Sequence, residues 1–318
     1  MDIPSSTNNK SAIFCFGIGY TGQFLLECLK VKGWQVGGTV RDAKKHTYFK
    51  QKNWHVYLTQ GNNPITDIKN VLENFPYVIW TIPPDQGGHD MFLSNYYPIL
   101  ANNKIAKWVG YLSATSVYGD FQGAWVDEES ITLPTTERGK SRLVAEHDWV
   151  SLYRKYNVPV HIFRLSAIYG PGRNALQSIL SGQARLVKQD GIRPAQIFNR
   201  MHVADIVETL IKSMQQPRPG AVYNLADDLP TPPEDVLHYA QKLLGIQSIP
   251  EVSINQETIS PMTRSFYQES KRVANHLIKQ ELGICLRYPT YRQGLDGIWH
   301  SLLTPESQMS ICSGPDKR

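Results

Sequence analysis

Gly17, Gly19 and Gly22 stand in a G-x-G-x-x-G spacing within the stretch FCFGIGYTGQFL. Glycine at that density weakens strands and helices alike, so it needs a reason. The chemistry this spacing offers is the grip of a pyrophosphate. The apolar run Ala12–Phe16 before it reads as a buried strand, and Tyr20–Lys32 after it carries Phe24, Leu25, Cys28 and Leu29 at helical spacing. Between such elements Gly17 makes the tight turn, Gly19 lets backbone amides approach phosphate oxygens, and Gly22 lets the helix lie close on the sheet. Tyr20 and Thr21 belong to the same turn, at the positive end of the helix dipole. The alternative is a glycine-rich turn that serves chain reversal alone.

The segment GGTVRD, Gly37–Asp42, bears on which dinucleotide is taken. No acid stands at Thr39 or Val40 to bond a ribose 2′-hydroxyl, and Arg41 follows at once. A guanidinium there suits the 2′-phosphate of NADP, and Thr39 adds a hydroxyl donor. In the opposing reading Arg41 is solvated, Asp42 folds back to the ribose, and the cofactor is NAD. NADP is preferred. Thr81 and Pro83, where the run YVIWT meets Pro83-Pro84, are assigned to the same cofactor site.

The elements that must position these residues follow a rhythm. Strand-like runs at Ala12–Phe16, Gln35–Val40, Trp54–Tyr57, Tyr77–Thr81, Trp108–Ser113 and Val160–Leu165 alternate with helical patterns near 43–52, 68–75, 90–103 and 138–156. Such alternation predicts an α/β fold, a doubly wound parallel sheet covered on both faces. Beyond residue 166 the rhythm breaks. GPGR at Gly170–Arg173 opens a loop-rich stretch, followed by helix-like Val203–Met214, strand-like Ala221–Asn224, and helices near Pro233–Leu244 and Ser270–Glu281.

The 318 residues are 41% hydrophobic with a net charge of +5, enough chain for a sizeable core without covalent staples. Lys and Arg are scattered rather than striped, which argues against nucleic acid as a partner and suits a small anionic molecule. The four cysteines are widely spaced and read as neither a disulfide framework nor a zinc site. No histidine pattern suggests a metal. The first residues lack a signal-peptide core and no apolar run has membrane-spanning length, so a cytoplasmic setting is expected.

At YLSATSVYGD (Tyr111–Asp120) and FRLSAIYGPGR (Phe163–Arg173) the chain resembles the extended short-chain dehydrogenase/reductase family, and within it the NAD(P)-dependent epimerase/dehydratase branch. NRMHVADIVETL, GAVYNLAD and ELGICLRYPTYRQGL continue the resemblance in the family's order, nearly the whole way from residue 11 to 300. It implies a Rossmann domain over 11–165, with 196–226 returning to it. A smaller discontinuous substrate domain is implied over 166–195 and 227–303, and 1–10 and 304–318 are read as flexible tails. It also implies nucleotide-sugar or related carbonyl and hydroxyl substrates, and a homodimer packed through the stretches near 90–103 and 138–156.

The resemblance further implies a Ser or Thr that orients substrate, a Tyr that moves the proton, and a Lys four residues later. Here the Tyr position falls on Arg138, the Lys position on Arg142, and the Ser/Thr position on Ala114, flanked by Ser113 and Thr115. Residues four apart share a helix face, but arginine stays protonated and cannot shuttle a proton near neutral pH. Ser113, Thr115, Arg138 and Arg142 are therefore the candidate catalytic set, atypical for the family, with Arg142 also toward the cofactor. Two guanidiniums one turn apart need an anion or carboxylate between them. Either they clamp an anionic group, or the site has decayed and both are solvated. Tyr118, Arg173 and Arg200 are the candidate substrate contacts, in a region where Arg185, Lys188 and Arg193 add positive charge; Tyr118, Tyr169 and His202 also have structural readings. The functional reading preferred is an NADP-dependent oxidoreductase or epimerase; the others are a silent NADP-binding sensor and a scaffold.

Overall fold

Side-chain alternation along the first strand decides the layers. The computed structural model describes residues 11–59, 65–85, 91–188, 196–256, 264 and 266–303. In it β1 (Ala12–Phe16) is buried on both faces. Ile13 and Cys15 join one core cluster, and Ala12, Phe14 and Phe16 join another. A strand that is apolar at every position needs helices on both sides. They are α1 (Tyr20–Val31) on the first face, and α3 (Ile68–Glu73), α4 (Met91–Asn102) and α5 (Glu137–Tyr156) on the second.

The remaining central strands are β2 (Gln35–Val40), β3 (His55–Leu58), β4 (Tyr77–Trp80), β5 (Trp108–Ala114), β7 (Val160–Leu165) and β11 (Val222–Leu225); α2 (Ala43–Gln51) connects β2 to β3. The seven strands lie in the order β11-β7-β5-β4-β1-β2-β3, and all their pairings are parallel. The chain runs outward from β1 to β3, then crosses back to β4 and runs the other way. The carboxyl ends of β1 and β4 thus flank the topological switch point, the crevice where such sheets take ligands.

Short parallel pairs attach the rest. β6 (Trp125–Val126) pairs with β13 (Arg272–Val273), β8 (Ala167–Tyr169) with β10 (Arg200–His202), and β9 (Leu186–Lys188) with β12 (Glu251–Ser253). Helices α6 (Ala175–Leu180), α8 (Pro233–Leu244) and α10 (Tyr291–Leu303) bury Leu176, Ala240, Tyr291, Leu295 and Ile298 in a separate small core. Helix α7 (Val203–Gln215) returns to the first face of the main sheet, with Ile206 and Leu210 in its core.

The helix expected over Ser270–Glu281 is corrected. Arg272 N donates to Ala124 O (2.9 Å) and Ala274 N to Val126 O (2.8 Å), which holds 272–274 extended. Helix α9 begins only at His276 and ends at Leu282. Edge pairing supplied by a segment about 150 positions away overrides the local helical pattern. Cys15 and Cys285 are free. The tails 1–10 and 304–318 lie outside the described residues, and among the described residues no helix is long and apolar enough to cross a membrane.

A buried ion pair joins α5 to the sheet. Arg164 on β7 donates through Nη2 to Glu146 Oε2 (2.8 Å) and through Nε to Glu146 Oε1 (3.1 Å), with both side chains under 10% exposed. Ser113 Oγ on β5 donates to the same carboxylate (2.5 Å), and Arg164 Nη1 donates to Tyr118 Oη (3.0 Å). Removing one charge strands the other in a medium that cannot solvate it. Glu146→Ala is expected to cost about 3–5 kcal/mol in urea unfolding, and the double replacement Glu146→Leu with Arg164→Met clearly less than that.

Candidate active site

Two threonines hold the glycine turn at the switch point. Gly17 N donates to Thr39 Oγ1 (2.8 Å), Thr81 Oγ1 donates to Gly17 O, and Thr81 N donates to Phe16 O (3.0 Å). Gly17 has φ +85, and a Cβ there would lie 2.7 Å from Ile82 Cγ1, so the protein itself demands glycine. A Cβ at Gly22 would come within 2.8 Å of Cys15 Sγ, which is the close seating of α1 on β1. Gly19 differs. It caps α1 without any side-chain hydrogen bond, and the nearest atom to a Cβ there is Gly17 O at 3.9 Å. No atom of the described residues explains the glycine at 19, whereas a phosphate approaching the first-turn amides of α1 does.

The second wall is β5 and the start of α5. Thr136 caps α5, its hydroxyl accepting from Gly139 N (3.2 Å). Arg138, Arg142 and Glu146 then follow at four-residue intervals along one stripe. Glu146 is spent on Arg164. Arg142 is pinned to β5, with Nη1 donating to Leu112 O (2.9 Å) and Tyr111 Oη (3.1 Å). Arg138 turns the other way and lies 4.7 Å from the Phe266 ring centroid. Desolvation at the cleft wall, and next the charge of Arg142, press its guanidinium below the usual range, while Glu269 opposes them. It remains cationic at any physiological pH.

The third wall comes from the far end of the chain. Asn199 Nδ2 donates to Lys271 O (2.8 Å) and Asn199 Oδ1 accepts from Val273 N (2.9 Å), fixing the strand that follows Glu269. Lys271 Nζ donates to Gly119 O (2.6 Å) and pairs with Glu269 Oε2 (2.8 Å). Glu269 Oε1 in turn accepts from Thr135 Oγ1 (2.9 Å) and Thr136 Oγ1 (3.4 Å). These walls enclose a cleft of about 670 Å³ that runs from Gly19, Tyr20 and Thr21 past Thr81 and Pro83 to Ser113–Ser116, Arg138, Arg142 and Lys271. Ser116 Oγ is covered and has no partner among the described residues.

The structure brings together Gly19, Tyr20, Thr21, Thr81, Pro83, Ser113, Thr115, Arg138, Arg142 and Arg173 on this cleft. Arg173 lies 5.6 Å from the Tyr20 ring centroid, and Tyr20 Oη donates to Pro171 O (2.9 Å), so the glycine turn touches the GPGR loop. Burial pushes the Tyr20 phenol up to about 12, with Arg173 opposing. Others lie elsewhere. Thr39 is buried beneath the turn as the acceptor for Gly17, which corrects its assignment as a phosphate donor. Tyr118 is fully buried, donating to Asn224 Oδ1 (2.8 Å), and is not on the cleft. Arg200 is also buried, its Nη2 donating to Thr231 O (3.3 Å) and its guanidinium 5.6 Å from the Tyr291 ring. Arg41 is exposed at the end of β2, outside the cleft lining. Asp42 Oδ1 accepts from Lys44 N (2.7 Å) and Lys45 N (3.0 Å), capping α2. Arg185 bonds the carbonyls of Gly182 and Ala184, Lys188 pairs with Glu251, and Arg193 lies outside the described residues. Phe266, Glu269 and Lys271 are the residues that sequence reasoning did not find.

Together these features describe an α/β protein with a dinucleotide turn at the switch point and a second, cation-lined ligand space beside it. A family model described as the NAD dependent epimerase/dehydratase family matches residues 100–226. A solved structure of a functionally unknown conserved protein from Silicibacter pomeroyi DSS has a TM-score of 0.81 at 40% identity, covering 92% of this chain and 99% of that one. Protein YeeZ of Escherichia coli (strain K12) is 27% identical over 244 residues, 73% of this chain and 83% of its own. UDP-glucuronic acid 4-epimerase from Bacillus cereus, solved in complex with UDP-glucuronic acid and NAD, shares the fold with a TM-score of 0.71 at 17% identity, covering 92% and 99%. The chain belongs to the NAD dependent epimerase/dehydratase family.

The two glycines of the turn separate by experiment. Gly19→Val is expected to leave the melting temperature within a few degrees while weakening dinucleotide binding about tenfold or more, because only a ligand needs that space. Gly17→Val is expected to lower the melting temperature itself, since it forces a left-handed backbone and a steric overlap.

Proposed function

We propose that this protein binds NADP(H) on the Gly17–Gly22 turn and acts as an oxidoreductase or epimerase on an anionic carbonyl or nucleotide-sugar compound held in the adjoining cleft. The observation that carries the reading is the continuous cleft itself. One end exposes uncapped amides of α1, and the other gathers Arg138, Arg142 and Lys271. The cations lining it outnumber its single carboxylate, Glu269, among the described residues, which favours a negatively charged occupant.

The residues present fit a dinucleotide. Gly19 leaves open the space that a side chain would fill, and Thr81 and Pro83 border the path from the turn toward β5. When bound, the nicotinamide supplies a hydride acceptor or donor. The chain's own part is positioning. Thr115 is placed to orient a substrate oxygen, while Ser113, which donates to Glu146, holds β5 in register with α5. Arg142, anchored on β5, and Arg138, resting on Phe266, present fixed charge to an anionic group rather than a titrating proton. The engagement of Asp42 as the cap of α2 supports NADP over NAD, because it leaves Arg41 as the charged residue at the end of β2. We extend the reading to a homodimer packed through α4 and α5.

Fluorescence titration tests the coenzyme choice. NADPH is expected to bind more tightly than NADH, and Arg41→Ala to remove about tenfold of the NADPH affinity while sparing NADH, the loss of one charge-assisted phosphate contact. Equal affinities in the native protein would contradict it. NADPH oxidation against aldehydes, ketones and nucleotide sugars tests the activity, and firm NADPH binding without turnover on any of them would favour a sensor.

A further inference from the structure

Glu269 is the single carboxylate among the described residues that line the cleft, and it occupies the place an incoming anion would want. Its two oxygens take Lys271 Nζ (2.8 Å) from one wall and the Thr135 and Thr136 hydroxyls (2.9 and 3.4 Å) from the other. Arg138 is within electrostatic reach of it. The Lys271 and Glu269 side chains are 8% and 9% exposed. An ion pair this covered contributes little net stability once the desolvation of both charges is counted, so stability alone is a weak reason to keep it at a ligand site.

We propose that Glu269 is an internal counter-ion that stands in for the anionic group of the substrate, and that Lys271 is the residue that receives that group when it displaces Glu269. The ammonium has three N–H donors. Gly119 O and Glu269 take two, and no acceptor for the third is found among the described residues. The main chain at Lys271 is fixed by Asn199, so the ammonium stays in place when its carboxylate partner is replaced by a ligand carboxylate or phosphate. The proposal rests on the reading of the cleft as a site for an anionic compound and adds the subsite that selects it. Lys271 lies more than 120 positions from the arginines that the family pattern aligns with the catalytic pair.

The consequence is a pair of opposite signs. If Glu269 competes with the ligand for Lys271, neutralising Glu269 tightens anion binding and neutralising Lys271 weakens it. If the ion pair only holds the wall together, both changes loosen the site. Calorimetric titration with inorganic phosphate decides, run with saturating NADPH so that the glycine turn is covered, and repeated without it. Glu269→Gln is expected to bind phosphate about threefold tighter than the native protein, through relief of like-charge repulsion. Lys271→Met is expected to bind about tenfold weaker, having lost a charge-assisted hydrogen bond. Lys271→Arg restores the charge and is expected to recover most of the affinity. Weaker binding in both neutral variants, no change in either, or no phosphate binding by the native protein overturns the proposal. Glu269→Gln carries the sign by itself should Lys271→Met fail to fold. Absence of NADPH binding with the opposite signs intact would refute the dinucleotide reading and leave the counter-ion standing. NADPH binding without those signs would refute the counter-ion alone.

Discussion

The geometry of the cleft depends on one buried ion pair. Glu146 and Arg164 lie where β5, β7 and α5 meet, and Ser113 and Tyr118 join them through hydrogen bonds. Because Glu146 continues the four-residue stripe of Arg138 and Arg142, clamping it to the sheet sets the rotation of the whole helix about its axis. The two arginines then have nowhere to go but the space above the carboxyl ends of the strands. A hydrophobic replacement could supply comparable stability, but it would not fix the rotation of α5 through the same directional contacts.

The electrostatics of the cleft follow from the same placement of α5. The starts of α1 and α5 both face the cleft, each with a partial positive charge from its unpaired amides. Arginines added to that field do not switch off with pH, so the positive charge of the cleft wall persists across the physiological range. An arginine at 138 does not transfer a proton near neutral pH. Hydroxyl groups at Thr115 and Ser116 remain at the wall, and Lys271 is held there by Gly119 and Glu269. The competition between Glu269 and an incoming anion would make selectivity a property of charge balance rather than of shape.

Much of this was legible in the residue order. The Ala12–Phe16, Gln35–Val40 and Val160–Leu165 strands fall where apolar runs place them, because strands buried on both faces leave little ambiguity. The three glycines were legible as a turn, though Gly17 and Gly22 answer to the protein's own packing and only Gly19 to open space. Thr39, Tyr118 and Arg200 carry polar groups that a linear reading takes as ligand contacts, and tertiary structure spends them on buried hydrogen bonds. Glu269 and Lys271 were not legible. Their neighbourhood looks helical, and only pairing of Arg272 and Val273 with Trp125 and Val126 draws them out into the cleft. A contact across that span leaves no local periodicity to read.

A crystal structure of the protein with NADPH bound measures the central claim most directly. The account predicts the diphosphate against the first-turn amides of α1 beside Gly19, with the nicotinamide end directed along Thr81 and Pro83 toward Thr115, Ser116 and Arg142. A nucleotide bound elsewhere, or crystals grown in saturating NADPH whose glycine turn holds none, would contradict it.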